Sequence, residues 1–248
     1  MDYYATARRL LGQAPAVANL ARTLVPSDVR AWLYRLNFDK RIANSNDPRD
    51  VFEKIYKTNW WQSAESVSGP GSDMAFTAEF RVALEDWLAR HSGEVKVFLD
   101  APCGDFNWMR HVPLPEGTSY IGGDIVADLI AGNAEKYTSP RHRFMTLDIV
   151  EDTIPSADAW MCRDVLFHLP LAMGKQVVEA FQASDAKYFL STTYPDARND
   201  SDIKVGWFRA VNLSLAPFDL GEPIQLLPDN GDGATNRFVG VWRNKRLG

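Results

Sequence analysis

The sequence predicts an α/β fold, a mostly parallel, doubly wound sheet closed by an antiparallel pair of strands and preceded by a helical extension. Three observations carry this prediction. From residue 95 onward, five short apolar runs alternate with helical or looped segments, the pattern of parallel strands joined by crossovers. The first run ends in Asp100 and a tight turn, and the next ends in Asp124 one βαβ unit later, which places two carboxylates at the edge of the sheet where nucleoside ligands bind. After Thr193 the alternation stops, and two final apolar runs flank Pro228-Asp229-Asn230-Gly231-Asp232-Gly233, a hairpin-type turn.

The expected strands are 95–100, 120–125, 143–148, 157–162 and 187–192, followed by 223–227 and 237–242. Helices are expected at 51–59, at 77–90, where Phe80, Leu84, Trp87 and Leu88 fall at helical spacing, at 128–135, at 171–183, and as a short turn of helix at 207–213. Residues 3–44 read as two or three helices interrupted at Pro15 and around Val25-Pro26-Ser27-Asp28, a stop followed by a new cap. The segment 60–72 is Gly/Ser-rich yet carries Trp60 and Trp61; such bulky rings point to a loop that packs on something. The expected division is 1–92, a helical extension with a covering loop, and 93–248, the ligand-binding core.

At 248 residues, 46% apolar and 24% charged, the chain suits one soluble domain with an extension. A net charge of −5 speaks against a general polyanion binder, so no nucleic-acid partner is expected. Two cysteines, Cys103 and Cys162, are too few for a disulfide framework and read as reduced thiols. No apolar run reaches the ~18 residues of a membrane span, and the basic N-terminal stretch with Arg8, Arg9 and Arg22 reads as an amphipathic extension. A cytoplasmic protein, monomeric or homodimeric, is expected.

The strand ends suggest the ligand. A dinucleotide pyrophosphate needs a glycine-rich turn opening onto bare helix N–H groups. The turn Asp100-Ala101-Pro102-Cys103-Gly104-Asp105 has one glycine and two carboxylates, which would repel a pyrophosphate and attract the sulfonium and ammonium of S-adenosylmethionine (SAM). Asp124 can accept from both ribose hydroxyls. Asp148 can accept from the adenine amino group, with Ile125 and Ile149 flanking the ring. After the fourth strand come Cys162-Arg163-Asp164 and, four residues past Asp164, His168. If Asp164 opens a helix, Asp164 and His168 share a face and supply a carboxylate–imidazole pair able to take a proton from a hydroxyl; the alternative is that His168 packs the helix and Asp164 merely orients it.

Over about residues 95–245 the chain resembles class I, Rossmann-like, SAM-dependent methyltransferases. Asp100–Asp105 matches the family's first motif, Asp124 its ribose acid, Asp148 its adenine-proximal acid and 162–168 its motif after strand four. The resemblance implies a seven-stranded Rossmann-like methyltransferase sheet, SAM as cofactor, and cofactor contacts from Asp100, Ala101, Pro102, Cys103, Gly104, Asp105, Trp108, Asp124, Ile125, Asp148, Ile149 and Arg163. It departs in the turn, where one of the usual three glycines remains.

Asn199, Asp202, Trp207, Arg209 and Asn212, in the polar and aromatic stretch after strand five, are candidate acceptor contacts, and that mixture suits a small-molecule or glycan hydroxyl. Asp164 with Asn199, Asp200 or Asp202 could also form an oxygen-ligand Mg²⁺ site. The expected activity is O-methylation. The rivals are a nucleic-acid or protein methyltransferase, and a SAM-binding interaction protein without catalysis. An enzyme for base amino groups would carry Asn/Asp-Pro-Pro-aromatic where this chain has Cys162-Arg163-Asp164-Val165.

Overall fold

The computed structural model describes residues 36–229, 231 and 236–247. The chain divides into two compact units, 1–44 and 45–248. Of the first, residues 36–41 are helical; the expected breaks at Pro15 and 25–28 lie outside the described residues. Residues 45–92, grouped with the extension by sequence, pack within the same unit as the sheet.

Helix α1, Pro48–Lys57, starts at Asp47, whose side chain accepts from the Arg49 amide at 2.9 Å, and has Pro48 at its first position and Lys54 and Lys57 in its last turn. Each feature favours the helix locally: a cap, a pre-set φ and cations at the negative end of the dipole. Helix α2, Ala78–Arg90, buries Phe80, Leu84, Trp87 and Leu88. Helices α3, Ala127–Tyr137, and α4, Leu171–Ala183, follow.

The strands are β1 Val97–Asp100, β2 Ser119–Asp124, β3 His142–Thr146, β4 Ala159–Cys162, β5 Tyr188–Thr193, β6 Gln225–Pro228 and β7 Phe238–Arg243. They form one seven-stranded sheet in the order β3-β2-β1-β4-β5-β7-β6. All neighbours run parallel except β7, which pairs antiparallel with β5 and β6. The expected hairpin is therefore realised as β6 and β7, with Pro228 opposite Phe238; its tip falls largely outside the described residues. Strands β4 and β5 are buried throughout, as central strands covered on both faces should be. One face packs Phe98, Met161 and Leu190 against Phe80, Leu84 and Trp87 of α2. The strand order reverses between β1 and β4, and the crevice at their carboxyl ends is where such sheets bind ligands.

The turn after β1 leads into a 3-10 turn, Met109–His111. Two local expectations fail. Asp164 adopts φ 61°, and the residues after it form only the 3-10 turn Leu166–His168, so no helical face is shared by Asp164 and His168. The expected helix at 207–213 is absent: the Gly206 amide donates to the His168 carbonyl (2.7 Å), the Arg209 amide to Phe167 (3.1 Å), and Val211 accepts from the Tyr194 amide (2.8 Å). Tertiary pairing of an extended segment has overridden local propensity. Among the described residues no helix is long and apolar enough to cross a membrane. Both cysteines are buried free thiols.

Candidate active site

A cavity of about 270 Å³ lies at the carboxyl ends of the central strands, under a roof made by α1 and the 60–72 loop. One end is lined by the tips of β1 and β2 and the segment after β3, the other by residues that follow β4 and β5.

At the first end Asp100 is buried and accepts from the Tyr120 hydroxyl at 2.7 Å. Burial, opposed by that hydrogen bond and by Arg163, raises its pKa to about 7. Pro102, Cys103 and Gly104 line the cavity. Ala101 does not: its amide donates to Met161 and its carbonyl accepts from the Trp160 indole, both at 2.9 Å, so it holds the sheet together behind the site. Gly104 sits at φ 55°, where a Cβ would collide with the Ser68 hydroxyl; only glycine lets the roof come down on this turn.

Asp124 accepts from the amides of Gly104 (3.1 Å) and Val126 (3.1 Å). The Ile125 amide adds to these, and since a carboxylate has about four acceptor positions, capacity remains for a ribose hydroxyl. Burial raises its pKa to about 6 against the pull of those backbone amides. Beyond β3, Asp148 accepts from the Val150 amide at 2.9 Å and lines the cavity with Ile125 and Ile149. Carboxylates at both strand ends, between aliphatic side chains, match an adenosyl group: acceptors for ribose and amino hydrogens, and apolar surface for the ring.

Asp105 lines the cavity as expected and also anchors the roof. Its carboxylate accepts from the Ser66 hydroxyl (2.9 Å), the Val67 amide (3.0 Å) and the Ser68 hydroxyl (3.2 Å). Thus the loop is latched to a cavity-lining anion. Arg163 lines the cavity, stacked 5.2 Å from Trp108, with its charge balanced by buried neighbours. It binds Asp229 through Nε (3.1 Å) and Nη2 (2.8 Å) and reaches Asp164 through Nη1 (3.1 Å). Arg237 binds the same two acids, Asp229 at 2.7 Å and Asp164 at 2.6 Å. Burial pushes the Asp164 carboxyl up, but Arg163 and Arg237 outweigh it and hold it below the usual range.

Asp164 is therefore a charge partner of two arginines, and among the described residues no hydrogen bond joins it to His168. The His168 Nδ1 lies 2.8 Å from the Trp207 carbonyl. A carbonyl only accepts, so Nδ1 carries the proton and Nε2 is left as a lone-pair acceptor. Burial lowers the His168 pKa to about 4, so the ring is neutral. Trp61 from the roof stacks on it, centroids 5.4 Å apart and planes at 25°.

None of the five expected acceptor contacts lines the cavity. The Asn199 amide donates to the carbonyls of Asn212 and Ala216, both at 2.8 Å. Asn212 donates to the Pro195 carbonyl. Asp202 accepts from the first amide of α4, Leu171, at 2.9 Å, and Arg209 donates to the Leu169 carbonyl at 2.7 Å. Trp207 contributes its carbonyl to His168. These side chains satisfy the backbone of a long coil. In their place stand Phe52, Tyr56, Phe167, Tyr194, Phe208 and Arg237, which the sequence reading missed; Phe167 and Phe208 are sequence neighbours of His168 and Trp207. The expected Mg²⁺ set is not assembled either. Asp164 is held by arginines, Asn199 and Asp202 by backbone, and no group of three metal-ligating side chains occurs among the described residues.

With strand order and site described, the architecture is the Rossmann-like fold of class I SAM-dependent methyltransferases. Solved structures agree. Magnesium protoporphyrin IX methyltransferase from Synechocystis PCC 6803, solved with SAM, is similar with a TM-score of 0.50 at 14% identity, over 79% of this chain and 95% of that one. Burkholderia thailandensis 1,6-didemethyltoxoflavin-N1-methyltransferase, solved with its acceptor and S-adenosylhomocysteine (SAH), gives a TM-score of 0.50 at 17% identity, over 89% and 91%. PigF with SAH gives 0.50 at 14%, over 83% and 61%. No family model and no curated protein matches the chain.

Proposed function

We propose that this chain is a SAM-dependent methyltransferase acting on a hydroxyl of a small molecule. The observation that carries the reading is a single cavity lined by Asp100, Asp124 and Asp148 at one end and by a neutral His168, whose Nδ1 is tied to the Trp207 carbonyl, at the other. Asp124 would hold a ribose hydroxyl, Asp148 the adenine amino group, Ile125 and Ile149 the ring faces, and Asp100 the ammonium. When bound, SAM supplies an electrophilic methyl group on its sulfonium.

The chain's own contribution is placement, exclusion of water and removal of one proton. The roof residues Tyr56 and Trp61 close the cavity from above. His168, fixed by the Trp207 carbonyl, presents Nε2 to the acceptor hydroxyl and takes its proton. Asp164 neutralises Arg163 and Arg237, and its charge also favours the protonated His168 ring. The test is transfer of labelled methyl to hydroxylated acceptors by wild type and His168→Ala. Turnover falls by about 10²–10⁴-fold, the worth of a positioned base, while SAH affinity stays within about twofold. In wild type, the acid limb of kcat/KM lies below pH 5, since the ring's pKa is about 4. Turnover unchanged in the variant would remove His168 from the mechanism.

A further inference from the structure

Resting on the methyltransferase reading, we propose that the acceptor is an uncharged, planar aromatic compound carrying the hydroxyl, and not a sugar or glycan. The acceptor end of the cavity is built from rings. Trp61 lies on His168 from the roof. The Phe167 ring meets the imidazole edge-on at 4.4 Å, and Phe208 lies 6.2 Å from it. Phe208 also packs against Phe167 (5.3 Å) and lies 6.2 Å from Tyr194. Phe167 and Tyr194 are buried, but Phe208 is 57% exposed, a large aromatic face left open at the rim of a lined cavity. Ring faces and edges of this kind recognise another ring by offset or edge-to-face contact.

The polar inventory points the same way. Asp164 and Arg237 also border this end, yet they are bound to each other at 2.6 Å, and both bind further partners of fixed geometry. They offer no net charge for an ionic acceptor. A sugar carries several hydroxyls, and each one buried without a partner loses roughly 5- to 150-fold in affinity. The amides and carboxylates that would have served them, Asn199, Asp202 and Asn212, are engaged with backbone away from the cavity. Nε2 of His168 provides for one hydroxyl, and the Tyr194 hydroxyl, beside Arg237, also borders this end, fewer partners than the several hydroxyls of a sugar need. Chemistry agrees: an imidazole with a pKa of about 4 is a weak base. It suits a phenol-like hydroxyl, near the ~10 of tyrosine, better than one as weakly acidic as water at about 15.7.

In the transfer the acceptor oxygen forms a bond to the methyl carbon as the carbon–sulfur bond breaks. The bonding pair leaves on sulfur, giving SAH, and the hydroxyl proton ends on His168 before release to solvent.

The test uses the full chain loaded with SAH, titrated with naphthol and umbelliferone as aromatic probes and with methyl glucoside and uridine diphosphate glucose as sugar probes. Binding of the aromatic probes, weakened about tenfold or more in Phe208→Ala and retained in Phe208→Trp, is the expected result. Circular dichroism and SAH affinity report whether each variant is folded. Saturable binding or methylation of a sugar probe with none of the aromatic ones overturns the proposal, as does aromatic binding unaffected by Phe208→Ala. With SAH binding intact, absence of aromatic binding overturns this inference alone. Absence of SAH binding defeats the methyltransferase reading instead, and aromatic binding would then show a ring-binding site without that donor.

Discussion

The two ends of the cavity are built on different principles. The donor end consists of carboxylates at strand termini: Asp100 and Asp124 are the last residues of β1 and β2, and Asp148 follows β3 by two residues. The sheet fixes where each one points. The acceptor end leans less on that frame. Tyr194 follows β5 directly, but Phe52, Trp61, His168 and Phe208 arrive from a helix, a roof loop, a 3-10 turn and a coil. What joins the ends is a buried charge cluster in which Arg163 and Arg237 share Asp229 and Asp164. A donor site can thus stay constant on this sheet while the acceptor pocket varies with its loops.

The harshest way to break that comparison is to remove the joint. Asp229 is wholly buried and bridges Arg163 and Arg237, so Asp229→Ala leaves two buried guanidiniums with Asp164 as their one shared carboxylate among the described residues. A loss of about 3–5 kcal/mol in unfolding free energy is expected from denaturant titration. A loss under 1 kcal/mol would mean that the cluster does not tie the two ends together.

A smaller effect sharpens the donor side. The folded-state pKa of Asp100, about 7, exceeds its ordinary 3.8. Between these values the folded protein keeps a proton that the unfolded chain has released, so this group's contribution to stability falls as pH rises through that window. A bound ammonium favours the carboxylate, and SAH binding near pH 6.5 should therefore release a fraction of a proton. Calorimetry in buffers of differing ionisation enthalpy measures it, and Asp100→Asn should remove most of the release, Asp124 with its pKa of about 6 supplying the remainder. Protons taken up on binding would place the ammonium elsewhere.

The smallest effect marks where the acceptor end stops. Asp202→Asn preserves a capping side chain at α4 and should change kcat/KM by less than about twofold, with no response to added Mg²⁺. A tenfold loss would return Asp202 to the site.

This contrast also explains what was legible in the sequence. Asp100 and Asp124 each close an apolar run, so their location at the sheet edge follows from local pattern, and the β-strand boundaries shift by only a few residues. Asp105 carries the same local signal, but its partners Ser66 and Ser68 come from the separate roof loop, and no spacing rule announces them. Asp229 looked like a turn residue because its guanidinium partner Arg163 lies 66 positions away. The polar residues 199–212 were misassigned because a long coil needs side chains to satisfy its own buried backbone, a demand that resembles a binding site in composition. Trp207 shows the difference well: its ring suggested a contact, while its carbonyl sets the tautomer of His168.

The central claim is that the three strand-end carboxylates hold an adenosyl donor, and titration of wild type and Asp124→Ala with SAH tests it most directly. The charge-assisted hydrogen bonding lost should weaken binding by about 10–10²-fold, from saturable one-to-one binding in wild type, with the variant's fold confirmed by circular dichroism. Wild type that fails to bind SAH and SAM at millimolar concentration, or an Asp124→Ala variant that binds as tightly as wild type, would contradict the account.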